Sequence, residues 1–220
     1  MTIKNQFKNL ILLSIVSSVI IFINCKKKNI DPFTDDGTKI ANADSADENT
    51  VDRTKKPPIY LAENGVTIKA SDNAEIGESY ELGEFNYVVV DSVILYEMVL
   101  NDENMTYVVT TRITNLSHIN FTKRSFPYFN QDISSWDLSN VTNTSHMFHL
   151  TDGFNQNISF WDVSNVTNMN SMFTGAKSFN QDLSFWDVGN VSDCKDFSRD
   201  AIAWIEPKPN FINCSADDLD

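Results

Sequence analysis

The chain repeats one sequence three times, and this repetition constrains the fold more than any other feature of its 220 residues. The first copy, FNQDISSWDLSNVTNTSHMF, begins at Phe129, and the next two begin at Phe154 and Phe179, each 25 residues further on. A unit of this length cannot bury its apolar side chains alone, so neighbouring units must stack and share a core. The repetition therefore predicts a repeat architecture.

Each unit divides into two segments with different patterns of apolar residues. In the second copy, ISFWDV at 158–163 is short, aromatic and β-branched, which favours a strand. The next segment, 166–176, places methionine and phenylalanine at helical spacing and stops near Gly175, which predicts a short helix. Residues 109–198 are therefore expected to form an α/β repeat, a short leucine-rich-repeat-like solenoid of parallel strands and short helices.

Regions without the repeat lie on both sides of the units. Residues 57–108 contain Asn64-Gly65, a strong hairpin signal, and then a β-rich run and a helical pattern that Asp91 or Ser92 could cap. We expect this N-terminal capping region to combine a β-hairpin with a strand–helix unit. Residues 199–220 leave the repeat pattern and are expected to form a C-terminal cap and tail.

Two cysteines are predicted to close the C-terminal cap. Cys194 stands in the last unit where Met169 stands in the unit before it, at an inward position, and Cys214 follows the segment WIEPKPNF. Because the end of a repeat stack exposes its core, we expect a Cys194–Cys214 disulfide to pin the tail over it. The alternative is a buried free thiol at Cys194 and an exposed one at Cys214.

The N-terminus has the pattern of a secretion signal. Two early lysines precede an apolar run at 10–23 that is shorter than the roughly 20 residues needed to span a bilayer. Cys25 resembles the lipidated cysteine of bacterial lipoproteins, although Asn24 replaces the small residue usual in that class. The resemblance implies a signal peptide at 1–24 and lipidation of Cys25; an uncleaved anchor is the alternative. Residues 25–56 are polar and aperiodic, as in a disordered tether.

The overall composition argues against several classes of function. A formal net charge of −13 does not favour nucleic-acid binding, which normally leaves a basic footprint. The three histidines stand in no metal-ligand or nucleophile motif, and no glycine-rich phosphate loop occurs. We therefore expect a protein that is not an enzyme and that needs no cofactor and no metal.

Tryptophan and aspartate recur at the same 25-residue interval, and this regularity suggests which side chains face inward. Large aromatics at Trp136, Trp161 and Trp186 are typical of a core column, and the residues beside them then point outward. These outward positions are the candidate partner-binding residues: Ser135, Phe160, Phe185, Asp137, Asp162 and Asp187. Stacked aspartates would repel one another, so each is expected to end its strand through a local Asx-turn, with a divalent cation or a ligand as the alternative.

The run FNQDISSWDLSNVTNTSHMF and its copies resemble the repeat of the BspA-like leucine-rich-repeat surface proteins, and the match covers roughly Tyr60 to Cys214. The resemblance implies a secreted or surface location and a role in adhesion or protein binding. We expect a lipid-anchored protein of the bacterial cell envelope, in the outer membrane or at the cell surface. Its repeats would bind an unknown protein, matrix or cell-surface partner; a glycan-binding module using exposed aromatics is the alternative.

Overall fold

The computed structural model describes residues 56–117, 119 and 128–216, all of them within the compact unit Val51–Asp220. The predicted signal peptide, the lipidated Cys25 and nearly all of the tether lie outside the described residues. Within the described ranges, no helix is long and apolar enough to cross a membrane.

The regular secondary structure lies in the N-terminal part of the described chain. In order, its elements are β1 (Ile59–Leu61), β2 (Ile68–Ala70), β3 (Ser79–Leu82), β4 (Phe85–Val89), α1 (Ser92–Leu100) and β5 (Val108–Val109). Strands β1 and β2 form an antiparallel pair. The second sheet has the order β3-β4-β5, in which β3 and β4 are antiparallel and β4 and β5 are parallel.

Local side chains explain the first hairpin and the helix. Asn64 Oδ1 accepts hydrogen bonds from the backbone N–H groups of Val66 (3.1 Å) and Thr67 (3.0 Å), and Gly65 adopts a φ of +71° that suits glycine. The hairpin predicted at Asn64-Gly65 therefore forms. Asp91, one of the two predicted caps, begins α1 by accepting hydrogen bonds from the second and third backbone N–H groups that follow it.

The repeats contain neither the predicted strands nor the predicted helices. Among the described residues α1 is the only helix, and all five strands end before residue 110. The described chain is a small β-rich domain with one helix and two small sheets, followed by units built of turns and joined by isolated parallel bridges such as Asn143 with Asn168. The expectation of a leucine-rich-repeat-like α/β solenoid of parallel strands and short helices is therefore wrong.

Hydrogen bonds from polar side chains explain why 158–163 is not a strand. Asn157 Oδ1 accepts from the backbone N–H and hydroxyl of Ser159, and the N–H of Trp161 bonds to the carbonyl of Ile158 at 3.1 Å. These bonds bend the backbone within the segment and use groups that a strand would direct to its neighbours. The β-propensity of the aromatic residues loses to turn formation here.

The segment predicted to be helical, 166–176, instead bonds to the following unit. Every second backbone N–H from Met169 to Gly175 donates to a carbonyl between Asp193 and Arg199. Ser171 and Gly175 have φ values of +52° and +70°, in the left-handed region, so a continuous right-handed helix is excluded. Gly175 does not end a helix, since Leu150 and Asp200, 25 residues away on either side, share its left-handed conformation.

Aromatic side chains form columns through the core of the stack, as the tryptophan spacing predicted. The rings of Trp136, Trp161 and Trp186 are buried and stack with centroids 6.4 Å apart. A second column pairs Phe129, Phe154 and Phe179 at 5.8 Å. The indole N–H of each of these three tryptophans donates to a carbonyl of the chain preceding its own unit, for example Trp161 Nε1 to the Ile133 carbonyl at 3.2 Å, so these three buried donors are satisfied.

Two rows of asparagines connect the units outside the core. In the first row, Asn130 Oδ1 accepts the backbone N–H of Asn155, and Asn155 does the same for Asn180, both at 2.9 Å. In the second, Asn165 and Asn190 donate through Nδ2 to carbonyls of the preceding unit, both at 2.7 Å. The asparagine side chains therefore add inter-unit bonds to those that the backbone groups make directly.

The C-terminal tail continues both asparagine rows although its sequence leaves the repeat. The backbone N–H of Ile205 donates to Asn180 Oδ1 at 2.8 Å, and Asn213 Nδ2 donates to the Gly189 carbonyl at 2.6 Å. Trp204 packs edge-on against Phe179, with centroids 4.7 Å apart. A disulfide joins Cys194 to Cys214, the pair proposed from the sequence, and so holds this tail against the last unit.

Neighbouring positions 160 and 161 test the assignment of inward and outward residues. Trp161→Ala removes a buried ring and is expected to lower the free energy of unfolding by about 3–5 kcal/mol. Phe160→Ala removes a ring that is half exposed and is expected to lower it by only about 1 kcal/mol. Urea unfolding followed by circular dichroism measures both changes, and equal losses in the two variants would contradict the assignment.

Candidate binding face

Three outward positions share one place in the repeat. Ser135, Phe160 and Phe185 are each the third residue of a turn that a tryptophan N–H closes onto a carbonyl three residues back, at 3.1 Å in every unit. Because the tryptophan enters the core, the residue before it faces away. Phe160 is 49% exposed and Phe185 86% exposed, so the two later units present aromatic rings at the surface.

Ser135 does not belong to this exposed surface. Its carbonyl accepts a hydrogen bond of 2.9 Å from the backbone N–H of Ile68 in β2, so the β1–β2 hairpin lies against the first unit. Lys69 of the same strand donates to the hydroxyl of Ser139 at 3.1 Å. The serine therefore stands where a strand approaches the backbone closely, and the phenylalanines stand where no such strand covers the turn.

Asp137 is likewise withdrawn from the surface, with only 1% of its area exposed. Oδ2 accepts a hydrogen bond of 2.7 Å from the hydroxyl of Thr111, and Oδ1 accepts from the backbone N–H and hydroxyl of Ser139. The ammonium of Lys69 lies 3.5 Å from Oδ1. This carboxylate ties the hairpin to the first unit and offers no exposed group to a partner.

Asp162 and Asp187 remain exposed and form the Asx-turns predicted for them, although these follow a turn rather than a strand. Asp162 Oδ1 accepts from the backbone N–H (3.2 Å) and the hydroxyl (2.6 Å) of Ser164, and Asp187 Oδ1 accepts from the N–H of Gly189 at 3.1 Å. Within the described part of the chain, no three histidine, cysteine or acidic side chains converge to hold a metal ion.

Phe160, Phe185, Asp162 and Asp187 together are the part of the predicted set that the structure leaves accessible, and we call them the aromatic face. It combines apolar rings with carboxylates two residues further along the chain. Such a surface can contact apolar groups and attract a cationic side chain. Nothing in this arrangement supplies an activated nucleophile.

The turn that precedes the face in each unit uses the same chemistry. Asp182 Oδ1 accepts from the hydroxyl of Ser184 at 2.7 Å and from its backbone N–H at 2.9 Å. The hydroxyl bond and then the backbone bond hold the pKa of Asp182 below its ordinary value. Since this carboxylate stays ionised, it adds negative charge to the unit that carries Phe185.

A histidine pair lies elsewhere on the stack, and the sequence motifs did not indicate it. The Nδ1 atoms of His146 and His149 are 3.3 Å apart, with ring centroids at 5.3 Å. Burial lowers the pKa of His149, and the charges of His146 and Arg199 lower it further. In the sequence the two histidines are three residues apart, but this spacing alone does not show that their rings meet. The turn between them brings the rings together.

Comparison with known proteins assigns a family to this chain. Residues 93–209, more than half of the chain, match the model of a family described as Mycoplasma protein of unknown function, DUF285. The chain belongs to this family. The match runs from α1 to the tail and neither supports nor contradicts the resemblance to BspA-like proteins, which stays a prediction. No curated protein and no solved structure matches the DUF285 chain.

The two kinds of aspartate should differ in their effect on stability. Asp137→Ala removes a buried acceptor of several bonds and is expected to lower the free energy of unfolding by about 2–4 kcal/mol. Asp162→Ala removes one exposed Asx-turn and is expected to cost about 1 kcal/mol or less. Chemical denaturation at neutral pH compares the two, and similar losses would show that the hairpin contact at Asp137 does not stabilise the fold.

His149 makes stability depend on acidity. Because its pKa in the folded chain lies below the ordinary value of 6.5, the unfolded chain binds more protons as the pH falls past that value. The titration of His149 therefore leaves the free energy of unfolding unchanged above about pH 6.5 and lowers it as the pH falls below that value. We expect His149→Gln to reduce the loss of unfolding free energy between pH 7.5 and 5.5, measured by denaturation at each pH. An unchanged pH dependence in this variant would contradict the lowered pKa.

Proposed function

We propose that this DUF285 chain is a non-catalytic surface protein of the bacterial envelope, in which the aromatic face of the repeats binds a protein partner. The signal-like N-terminus and Cys25 support attachment through lipid, in the outer membrane or at the cell surface. The polar tether would hold the repeats away from the bilayer. The absence of any acid–base or nucleophile arrangement in the sequence supports binding rather than catalysis.

The exposure of Phe185 carries this proposal. A phenylalanine with 86% of its area exposed gains nothing from the fold, since its ring is left in water. Phe160 occupies the same turn position in the unit before it, so the two rings lie in one column along the stack. Aromatic side chains that a fold leaves uncovered in this way are typical anchors of protein interfaces.

The charge around the rings favours a particular kind of partner. Asp162 and Asp187 are exposed two residues after the phenylalanines, and the whole chain has a formal net charge of −13. A partner with an apolar patch bordered by lysine or arginine would complement both features and would be drawn to the face by long-range attraction. A glycan is the competing ligand, because sugar rings also stack on exposed aromatics beside carboxylates.

The test replaces both phenylalanines by the residue of the first unit. Phe160→Ser with Phe185→Ser is compared with Tyr128→Ser, which removes a ring that is 80% exposed but lies outside the face. The full chain is applied to immobilised matrix and cell-surface proteins and, in parallel, to a glycan array. We expect binding to a basic protein to weaken by about tenfold or more in the double variant and to persist in the control.

Two results would overturn the proposal. Equal binding by the double variant and the parent chain would show that the aromatic face does not bind the partner, and binding confined to the glycan array would establish the competing ligand class.

Protease treatment of intact cells tests the location separately. Loss of the repeats under that treatment is expected for a surface protein, and full protection would contradict surface display.

A further inference from the structure

The backbone fixes the two histidines of the first unit against each other. His146 has a φ of +58°, in the left-handed region, and its N–H donates to the Asn170 carbonyl of the next unit at 2.9 Å. The N–H of His149 closes a turn onto the His146 carbonyl at 3.3 Å. Both side chains therefore leave one tight turn whose ends are held by hydrogen bonds, and the pair does not depend on a flexible loop.

The positions of the rings match those of two ligands on one ion. Two imidazole nitrogens bound to a tetrahedral ion at about 2.0–2.1 Å stand about 3.3 Å apart, with ring centres about 5.2 Å apart. The observed separations are 3.3 Å between the Nδ1 atoms and 5.3 Å between the centroids. Both separations are therefore those that a single bound ion would require of the two rings.

A direct hydrogen bond between the rings is the alternative for the same contact. If one Nδ1–H pointed at the other Nδ1 in a straight line, nitrogens at this distance would put the ring centres about 5.6 Å apart. The measured centroid separation is 5.3 Å and the ring planes meet at 45°, so the two rings are not in line with each other.

The charges nearby oppose a bound cation only in part. The guanidinium of Arg199 acts electrostatically on His149 and would repel a cation, but Asp196 lies 3.1 Å from that guanidinium and offsets part of its charge. The net field at the pair is therefore weaker than the arginine alone would produce.

We propose that His146 and His149 bind one divalent transition-metal ion of the borderline class, such as Zn²⁺, through their two Nδ1 atoms. Imidazole nitrogen suits this class of ion, whereas Mg²⁺ and Ca²⁺ prefer oxygen. In the described part of the chain no third histidine, cysteine or acidic side chain completes the set, so two coordination positions are left to water or to an external ligand. The site is independent of the aromatic face and of the function proposed for it.

The experiment titrates ZnCl₂ into the full chain in detergent, with Cys25→Ser in every variant so that no thiol competes. Calorimetry gives the stoichiometry and affinity, CoCl₂ in place of zinc reports four-coordination through its visible absorption, and nitrogen-15 NMR distinguishes Nδ1 from Nε2 ligation. We expect one ion per chain. His146→Asn, which tolerates the left-handed backbone, and His149→Gln should each weaken binding by at least the 10–100-fold that loss of a mere outer-shell partner typically costs.

His118→Gln is the matched control, because it removes the remaining histidine of the chain and should leave the affinity unchanged. Thermal melting without metal checks that each variant is folded. Retained binding in His149→Gln, ligation through Nε2, or an equal loss in His118→Gln would overturn the assignment to this pair. No detectable binding of zinc or cobalt to the folded parent chain would overturn the site itself.

Discussion

Hydrogen bonds from short polar side chains to the backbone support every unit of this repeat. A stack of turns has no helix, and the backbone N–H groups that bond directly to the next unit, such as every second one from Met169 to Gly175, satisfy only part of its peptide groups. Peptide groups are costly to bury unpaired. Within a unit, residues such as Asn157 and Asp162 accept the N–H two residues on. Between units, the asparagine rows and the indole N–H groups bond across the 25-residue period. Several residues that recur in every unit, such as Asn155 and Trp161, make these bonds.

This dependence on the neighbouring unit explains why both ends of the stack are specialised. The first tryptophan, Trp136, needs a carbonyl that no preceding repeat supplies, and it donates to Met105 in the N-terminal region instead. At the other end, Ile205 and Asn213 continue the asparagine rows, and the Cys194–Cys214 disulfide holds the tail that carries them. A repeat protein must close its ends in this way, because an uncovered unit exposes both core and backbone.

Which side chains a unit exposes depends on the segment packed against that unit, and the repeated sequence alone does not decide it. The hairpin covers the first unit, so Ser135 is small and Asp137 is buried in an ion pair with Lys69. The later units lack this cover, and the same positions present phenylalanine and exposed carboxylates. Residues that are equivalent in sequence therefore have different roles, and the six positions that the sequence grouped as one binding surface separate into a structural pair and an exposed set.

The sequence by itself determined the period, the inward tryptophan column, the hairpin at Asn64-Gly65, the cap at Asp91 and the pairing of the cysteines, because each depends on local turn chemistry or on strict repetition. It did not determine that ISFWDV bends, since β-propensity is weak beside the hydrogen bonds of a local turn. It did not determine that 166–176 bonds to the next unit, since helical spacing is weak beside hydrogen bonds between units. Only the tertiary structure decided that Asp137 is buried and that His146 meets His149. The first depends on a hairpin that folds back onto the first unit, and the second on one left-handed residue, which spacing alone does not reveal.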